Sequence, residues 1–206
     1  CELRGAVFAD HLHLIESAWR GDTLAHPDNH LYPPAPQLAK RIWIATFFDE
    51  GAIRAAKSGH GLMLSRTQTA SASQSELPLD AIQNPIIDAY LAALPAGVAP
   101  RILASRTAFI ADSQGYALQA AEPGLSKQAA AHRAAGHEII GDTVTDYARQ
   151  LDAHIGDAPH VLASLAKDSV LTRVLTFVQV HSVEPSHQDT LRSIELIAKH
   201  IAPQFR

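Results

Sequence analysis

The chain has 206 residues, 47% of them hydrophobic, and a formal net charge of −4 at pH 7. That apolar share suits a packed body, and the length suits one sizeable core or a part of a larger one. No basic run exceeds two residues and no apolar run approaches the ~18 of a membrane span, so neither nucleic acid nor membrane is an expected partner. The single cysteine leaves no internal disulfide, and no secretory pattern stands at the start, so a reduced, cytoplasmic compartment is expected.

In chain order, Val7 to Trp19 reads as a helix, with Phe8, Leu12, Ile15 and Trp19 on one face. A Pro-rich connection follows from His26 to Pro36. Ile42 to Thr46 reads as a buried strand. Asp49 and Glu50 then open an alanine-rich helix to Ser58, closed by Gly59. Gly61 to Ser65 is a second strand. Residues 67–78 are rich in Ser, Thr and Gln without periodicity, the pattern of a mobile loop or lid. Leu79 to Leu94 is a helix that Pro85 can kink, and Arg101 to Ala111 is the longest strand.

Asp112 opens a helix expected to break at Pro123-Gly124 and resume to Ala135. Asp142-Thr143 caps a helix running to Ala153, and Gly156-Asp157 opens one to Ala166. Val174 to His181 is a fourth strand. Its alternation puts Leu175, Phe177, Gln179 and His181 on one face, turned inward. Ser186 opens a last helix with Leu191, Ile194, Ile197 or Ala198, and Ile201 on one face. Four strands, each followed by helix and none joined by a hairpin, predict a parallel α/β sheet with right-handed crossovers. Four βα units are half of a (β/α)8 barrel. With Cys1 in place of an initiator Met, the chain reads as a single domain, 1–206, that is part of a longer barrel.

Ligands of such folds sit at the C-terminal strand ends. There Thr46 and the backbone N–H groups from Phe47 onward offer an anion seat, against the simpler role of a helix cap. Ser65-Arg66-Thr67 leaves the second strand with two hydroxyls and a guanidinium, groups suited to phosphate. The bland alternative is a surface arginine paired with a carboxylate. Ser105-Arg106-Thr107 repeats the triplet in mid-strand, where a semi-buried arginine needs a carboxylate and a structural role is expected. Gln179 and His181 could hydrogen-bond a ligand, and His181 could move a proton, against the simpler role of a histidine satisfied at the barrel rim. The twelve histidines lack ligand spacing, so no metal is expected.

The blocks RIWIATFFDEGAIRAAKSGHGLMLSRTQ (41–68), NPIIDAYLAALPAGVAPRILASRTAFIAD (84–112) and FVQVHSVEPSHQDTLRSIELIAKHIAP (177–203) resemble the C-terminal half of the bacterial luciferase-like, FMN-dependent monooxygenases. The resemblance spans nearly all of the chain. It departs at Phe47-Phe48, where the family often has a small residue, and at Asp157-Ala158-Pro159, where it often has Thr-Pro-Glu after the glycine. It implies a TIM barrel holding FMN at its mouth, with Thr46, Phe47, Ser65, Arg66, Thr67 and Gln179 as cofactor-binding candidates. The implied enzyme oxidises a small organic substrate with reduced FMN and O2, and depends on a supply of reduced flavin. The remaining strands would come from an N-terminal half, or their place would be taken in a homo-oligomer, and this chain alone would be inactive. Two alternatives stay open: a non-catalytic flavin-binding or structural half-barrel, and a deazaflavin (F420)-dependent oxidoreductase on the same fold.

Overall fold

A computed structural model describes residues 3–68, 77–174, 176–180 and 183–205. Five strands form one parallel sheet: β1 (Trp43–Ala45), β2 (Gly61–Leu64), β3 (Ile102–Ile110), β4 (Ala153–Gly156) and β5 (Thr176–Val180). β3 is the hub. Its first residues, Ile102 to Ala104, pair with β2, its last, Thr107 to Ile110, with β4, and Leu103 to Thr107 with β5. Leu103 and Ala104 have partners in both β2 and β5, and Thr107 in both β4 and β5. So β5 lies on one edge of β3, while β2 and then β4 share the other.

The strands at 42–46, 61–65, 101–111 and 174–181 are present, with bounds moved by a few residues. β4 corrects the expected count of four. Of its four residues, AHIG, only Ala153 lies in the span expected to be helical, and that helix is instead α5 (Val144–Gln150). The overhanging end of β3 supplies β4 with an edge, and tertiary pairing overrides the local pattern. β1 is also less buried than a central strand: Trp43 and Ile44 are half-buried and Ala45 is exposed, because β1 pairs with β2 alone among the described residues.

The helices are α1 (Leu3–Arg20), α2 (Asp49–Lys57), α3 (Leu79–Ala93), α4 (Gln114–Ala134), α5, α6 (Ala158–Leu165) and α7 (His187–Leu196). Period-two alternation sends Leu62, Leu64, Ile102 and Ala104 beneath α2 and α3, where they meet Ala52, Ala55, Ile86, Ile87 and Tyr90 in a closed core. Ile110 packs with Val161, Leu165 and Leu196 of α6 and α7. Phe109 takes the opposite face, under Ala117, Ala121 and Leu125 of α4 and Tyr147 of α5. Before that point the face opposite α2 and α3 is only partly covered: Trp43, Met63, Leu103 and Ser105 are all half-buried.

Two helical readings are corrected. α4 runs through Pro123-Gly124 without a break. In α7 the buried positions are Ser193 and Leu196, while Leu191 and Ile194 are about half exposed; further on, Ile197 is half-buried and Ile201 is buried, as expected. The Ser193 hydroxyl faces inward because it accepts the Ile110 N–H at 3.0 Å. The expected caps hold: Thr143 forms a reciprocal pair with Asp146, Asp157 accepts from the His160 N–H, and Ser186 from that of Asp189. α1 is tied down by Glu16, which meets the buried His60 at the start of β2 at 2.7 Å. Its Phe8 and Ile15 remain about half exposed.

Candidate functional site

At the C-terminal ends of β1 and β2 lies a cleft of about 380 Å³, lined by Ala45, Thr46, Phe47, Met63, Leu64, Ser65, Leu103 and Ser105. Its walls are apolar on the sheet and polar at the rim. Thr46 closes a turn onto α2: its Oγ1 accepts the Phe48 N–H at 3.2 Å and donates to the Phe48 carbonyl at 3.1 Å. Gly51 lets Thr46 come this close, since a Cβ there would lie 2.0 Å from the Thr46 hydroxyl. The N-cap of α2 is Phe48, whose side chain satisfies none of the first-turn donors. Asp49 and Glu50 are exposed in that turn. Gln68 donates to the Phe47 carbonyl at 2.7 Å and ties the chain leaving β2 back to the rim.

Beside the cleft, Ser65 and Thr67 share a hydrogen bond at 3.0 Å. The Arg66 N–H donates to the Ser105 hydroxyl at 3.0 Å, and Ser105 donates on to the Leu64 carbonyl at 3.3 Å. The Arg66 guanidinium lies against the Thr107 hydroxyl at 3.4 Å. Burial lowers its pKa from the ordinary value, with no carboxylate contributing. Among the described residues it has no ion-pair partner.

Three of the expected site residues, Thr46, Phe47 and Ser65, therefore meet on one cleft, with Arg66 and Thr67 in the adjoining turn. Gln179 lies in β5, in register with Arg106 of β3. His181 and residues 69–76 of the expected 67–78 loop lie outside the described residues. So do the side chains of residues 175–181, which carry the rest of the alternation read from Val174.

On the helix-covered side of β3 is a cluster that sequence spacing did not assemble. Arg106 is fully buried and pairs with Asp168 through Nε. This bears out the structural role expected of Arg106, with deeper burial than expected. Its Nη1 donates to the Ser105 carbonyl and its Nη2 to Gln83 Oε1, both at 2.9 Å. A cavity of about 280 Å³ opens next to it, with Asp80, Asp152, His154, Lys167 and Asp168 among its lining residues. Burial pushes the Asp152 carboxyl up to about 6. Burial also drives the His154 imidazole down to about 4, so it is neutral near pH 7, with Nδ1 on the Ser164 hydroxyl at 2.8 Å. The signal available for this cluster was Arg106 itself, a charge in mid-strand that had to find a carboxylate.

No family model and no curated protein matches the chain. Solved structures do match its fold. Over 100% of this chain and 63% of that one, it superposes on the monooxygenase RslO1 from Streptomyces bottropensis with 22% identity and a TM-score of 0.66. The oxygenating constituent of 3,6-diketocamphane monooxygenase from Pseudomonas putida, a type II Baeyer-Villiger enzyme in complex with FMN, matches 95% of this chain over 62% of its own, with 14% identity and a TM-score of 0.59. The coenzyme F420-dependent tetrahydromethanopterin reductase of Methanopyrus kandleri matches 97% over 63%, with 12% identity and a TM-score of 0.58. The chain thus spans a little over 60% of the length of these proteins, and over that span it shares their fold, a partial parallel α/β barrel.

Proposed function

We propose that the protein is a flavin-dependent monooxygenase to which this chain contributes the phosphate end of an FMN site. One observation carries the reading. A cation without a carboxylate partner among the described residues, Arg66, stands with the hydroxyls of Ser65 and Thr67 directly after a barrel strand, beside an apolar cleft. That donor set suits a phosphate next to a flat apolar ring. Arg66, Ser65 and Thr67 would hold the phosphate, and the first-turn N–H groups of α2 would add donors. Phe47, Met63 and Leu103 would exclude water beside the ring. When bound, reduced flavin supplies the two electrons with which one oxygen atom of O2 passes to the substrate and the other leaves as water. The organic substrate, the supply of reduced flavin and a cytoplasmic location belong to the same reading, as does inactivity of this chain by itself.

The fold match to an F420-dependent reductase supports a second reading, a deazaflavin on the same barrel. Binding of FMN, riboflavin and F420 to the full-length protein separates the two. In that assay Arg66→Ala is expected to weaken FMN about tenfold or more, the size of one lost charge-assisted hydrogen bond, and riboflavin much less. Equal weakening of both would mean that Arg66 acts through folding rather than on the phosphate.

A further inference from the structure

We infer that Gln83, locked by the Arg106–Asp168 pair, is the positioning residue of the Ser65-Arg66-Thr67 turn. Gln83 is fully buried in α3, far in sequence from the turn it serves. Its Oε1 accepts from Arg106 Nη2 at 2.9 Å and its Nε2 donates to the Ser65 carbonyl at 2.8 Å. A guanidinium can only donate, so the amide oxygen must face Arg106 and the amide NH2 must face Ser65. Arg106 is itself fixed by Asp168, whose second oxygen accepts the Val170 N–H at 3.0 Å. The orientation therefore runs one way: Asp168 sets Arg106, Arg106 sets the amide, and the amide sets a carbonyl.

That carbonyl matters because Ser65 is one residue past the end of β2, where the strand ladder no longer fixes the backbone. Gln83 holds this point from the helix side. Ser105 holds it from the opposite side, through the Arg66 N–H. Between them the two side chains aim the hydroxyls and the guanidinium that the proposed function assigns to phosphate, and the functional weight of Gln83 rests on that assignment.

The test compares Gln83→Glu and Gln83→Met with wild type in the full-length protein. Glutamate still accepts from Arg106, so the buried cation stays paired, but a carboxylate cannot donate to the Ser65 carbonyl. Methionine fills the space and makes neither bond. In both, amide hydrogen exchange over residues 65–67 is expected to accelerate about tenfold, while the rest of α3 exchanges as in wild type. FMN should bind about tenfold more weakly and riboflavin within about twofold of wild type, the size of one neutral hydrogen bond. Wild-type exchange at 65–67 in both variants overturns the inference. So does failure of both to fold, because Gln83 would then be core rather than a positioning residue. If wild type shows no preference for FMN over riboflavin, the phosphate reading fails, and the exchange comparison still decides whether Gln83 holds the turn.

Discussion

Asp152 and His154 flank the first residue of β4, and burial shifts them in opposite directions. For Asp152, raised from 3.8 to about 6, the folded chain keeps a proton that the unfolded chain has lost across that interval. Stability from this group therefore falls as pH rises from about 4 to 6 and stays lower above it. His154, lowered from 6.5 to about 4, acts in reverse. Its unfolded form takes up the proton first, so its contribution is complete above about 6.5 and is lost as pH falls toward 4. Between pH 4 and 6 the two oppose each other. Asp152→Asn separates them. Asparagine keeps an acceptor for the Leu79 N–H and tolerates the φ of 47° at this position. The variant is expected to be more stable than wild type at pH 7.5, by on the order of 1–2 kcal/mol after screening, and about equal at pH 4. It should also lose stability more steeply than wild type from pH 6.5 to 4.5, because His154 is left unopposed. Urea unfolding across this range reads the outcome, and parallel profiles for the two proteins would count against it.

At the scale of elements, α4 shows why a sequence break need not be a structural one. Pro123 and Gly124 both disfavour helix interiors, yet α4 is continuous across them. Gly124 is required by contact: a Cβ there would lie 2.1 Å from the carbonyl oxygen of Val183, a buried backbone crossing. Propensity predicts that Gly→Ala in this helix stabilises by ~1 kcal/mol, and the contact predicts overpacking of ~1–3 kcal/mol or more against it. Gly124→Ala is expected to lower Tm, whereas Gly115→Ala, with open space around it, should leave Tm equal or higher. A stabilised Gly124→Ala would show that the crossing gives way. The same contrast marks what sequence could reveal. Strand ends and caps were legible because they depend on residues within one turn of each other, and they placed Thr46, Phe47 and Ser65 on one cleft. β4 was hidden because its pairing edge is the distant overhang of β3. Gln83 and Asp168 were hidden because nothing in their spacing from Ser65 and Arg106 encodes the packing of α3 on the sheet. Leu191 and Ile194 were misread as the buried face of α7 because Ser193, a polar residue, is buried to bond with Ile110.

At the scale of the whole molecule, the sheet is covered by helices on one side and, ahead of Phe109, only partly covered on the other. The accessible surface is 12272 Å², against roughly 9,300 Å² expected for a closed monomer of this mass. The difference is larger than the ~1,600 Å² that a standard interface buries from both partners together. It coincides with half-buried Trp43, Met63 and Leu103, with the exposed Phe47 and Phe48 rings and with the uncovered Phe8 and Ile15 of α1. Among the described residues, β1 and β5 each pair along one edge only, which leaves strand edges able to recruit another chain. The chain also spans a little over 60% of the length of the enzymes that share its fold. The expected occupant of the open face is therefore the remainder of a barrel or a second copy of this chain. Produced as these 206 residues alone, the protein is expected to sediment above its 22.1 kDa monomer mass or to aggregate. Co-expression with a chain that supplies strands to pair with β1 and β5 should return a discrete, folded species. A stable monomer of 22.1 kDa with cooperative unfolding would refute this, because it would show that the apolar face is tolerated in water or covered by the chain itself.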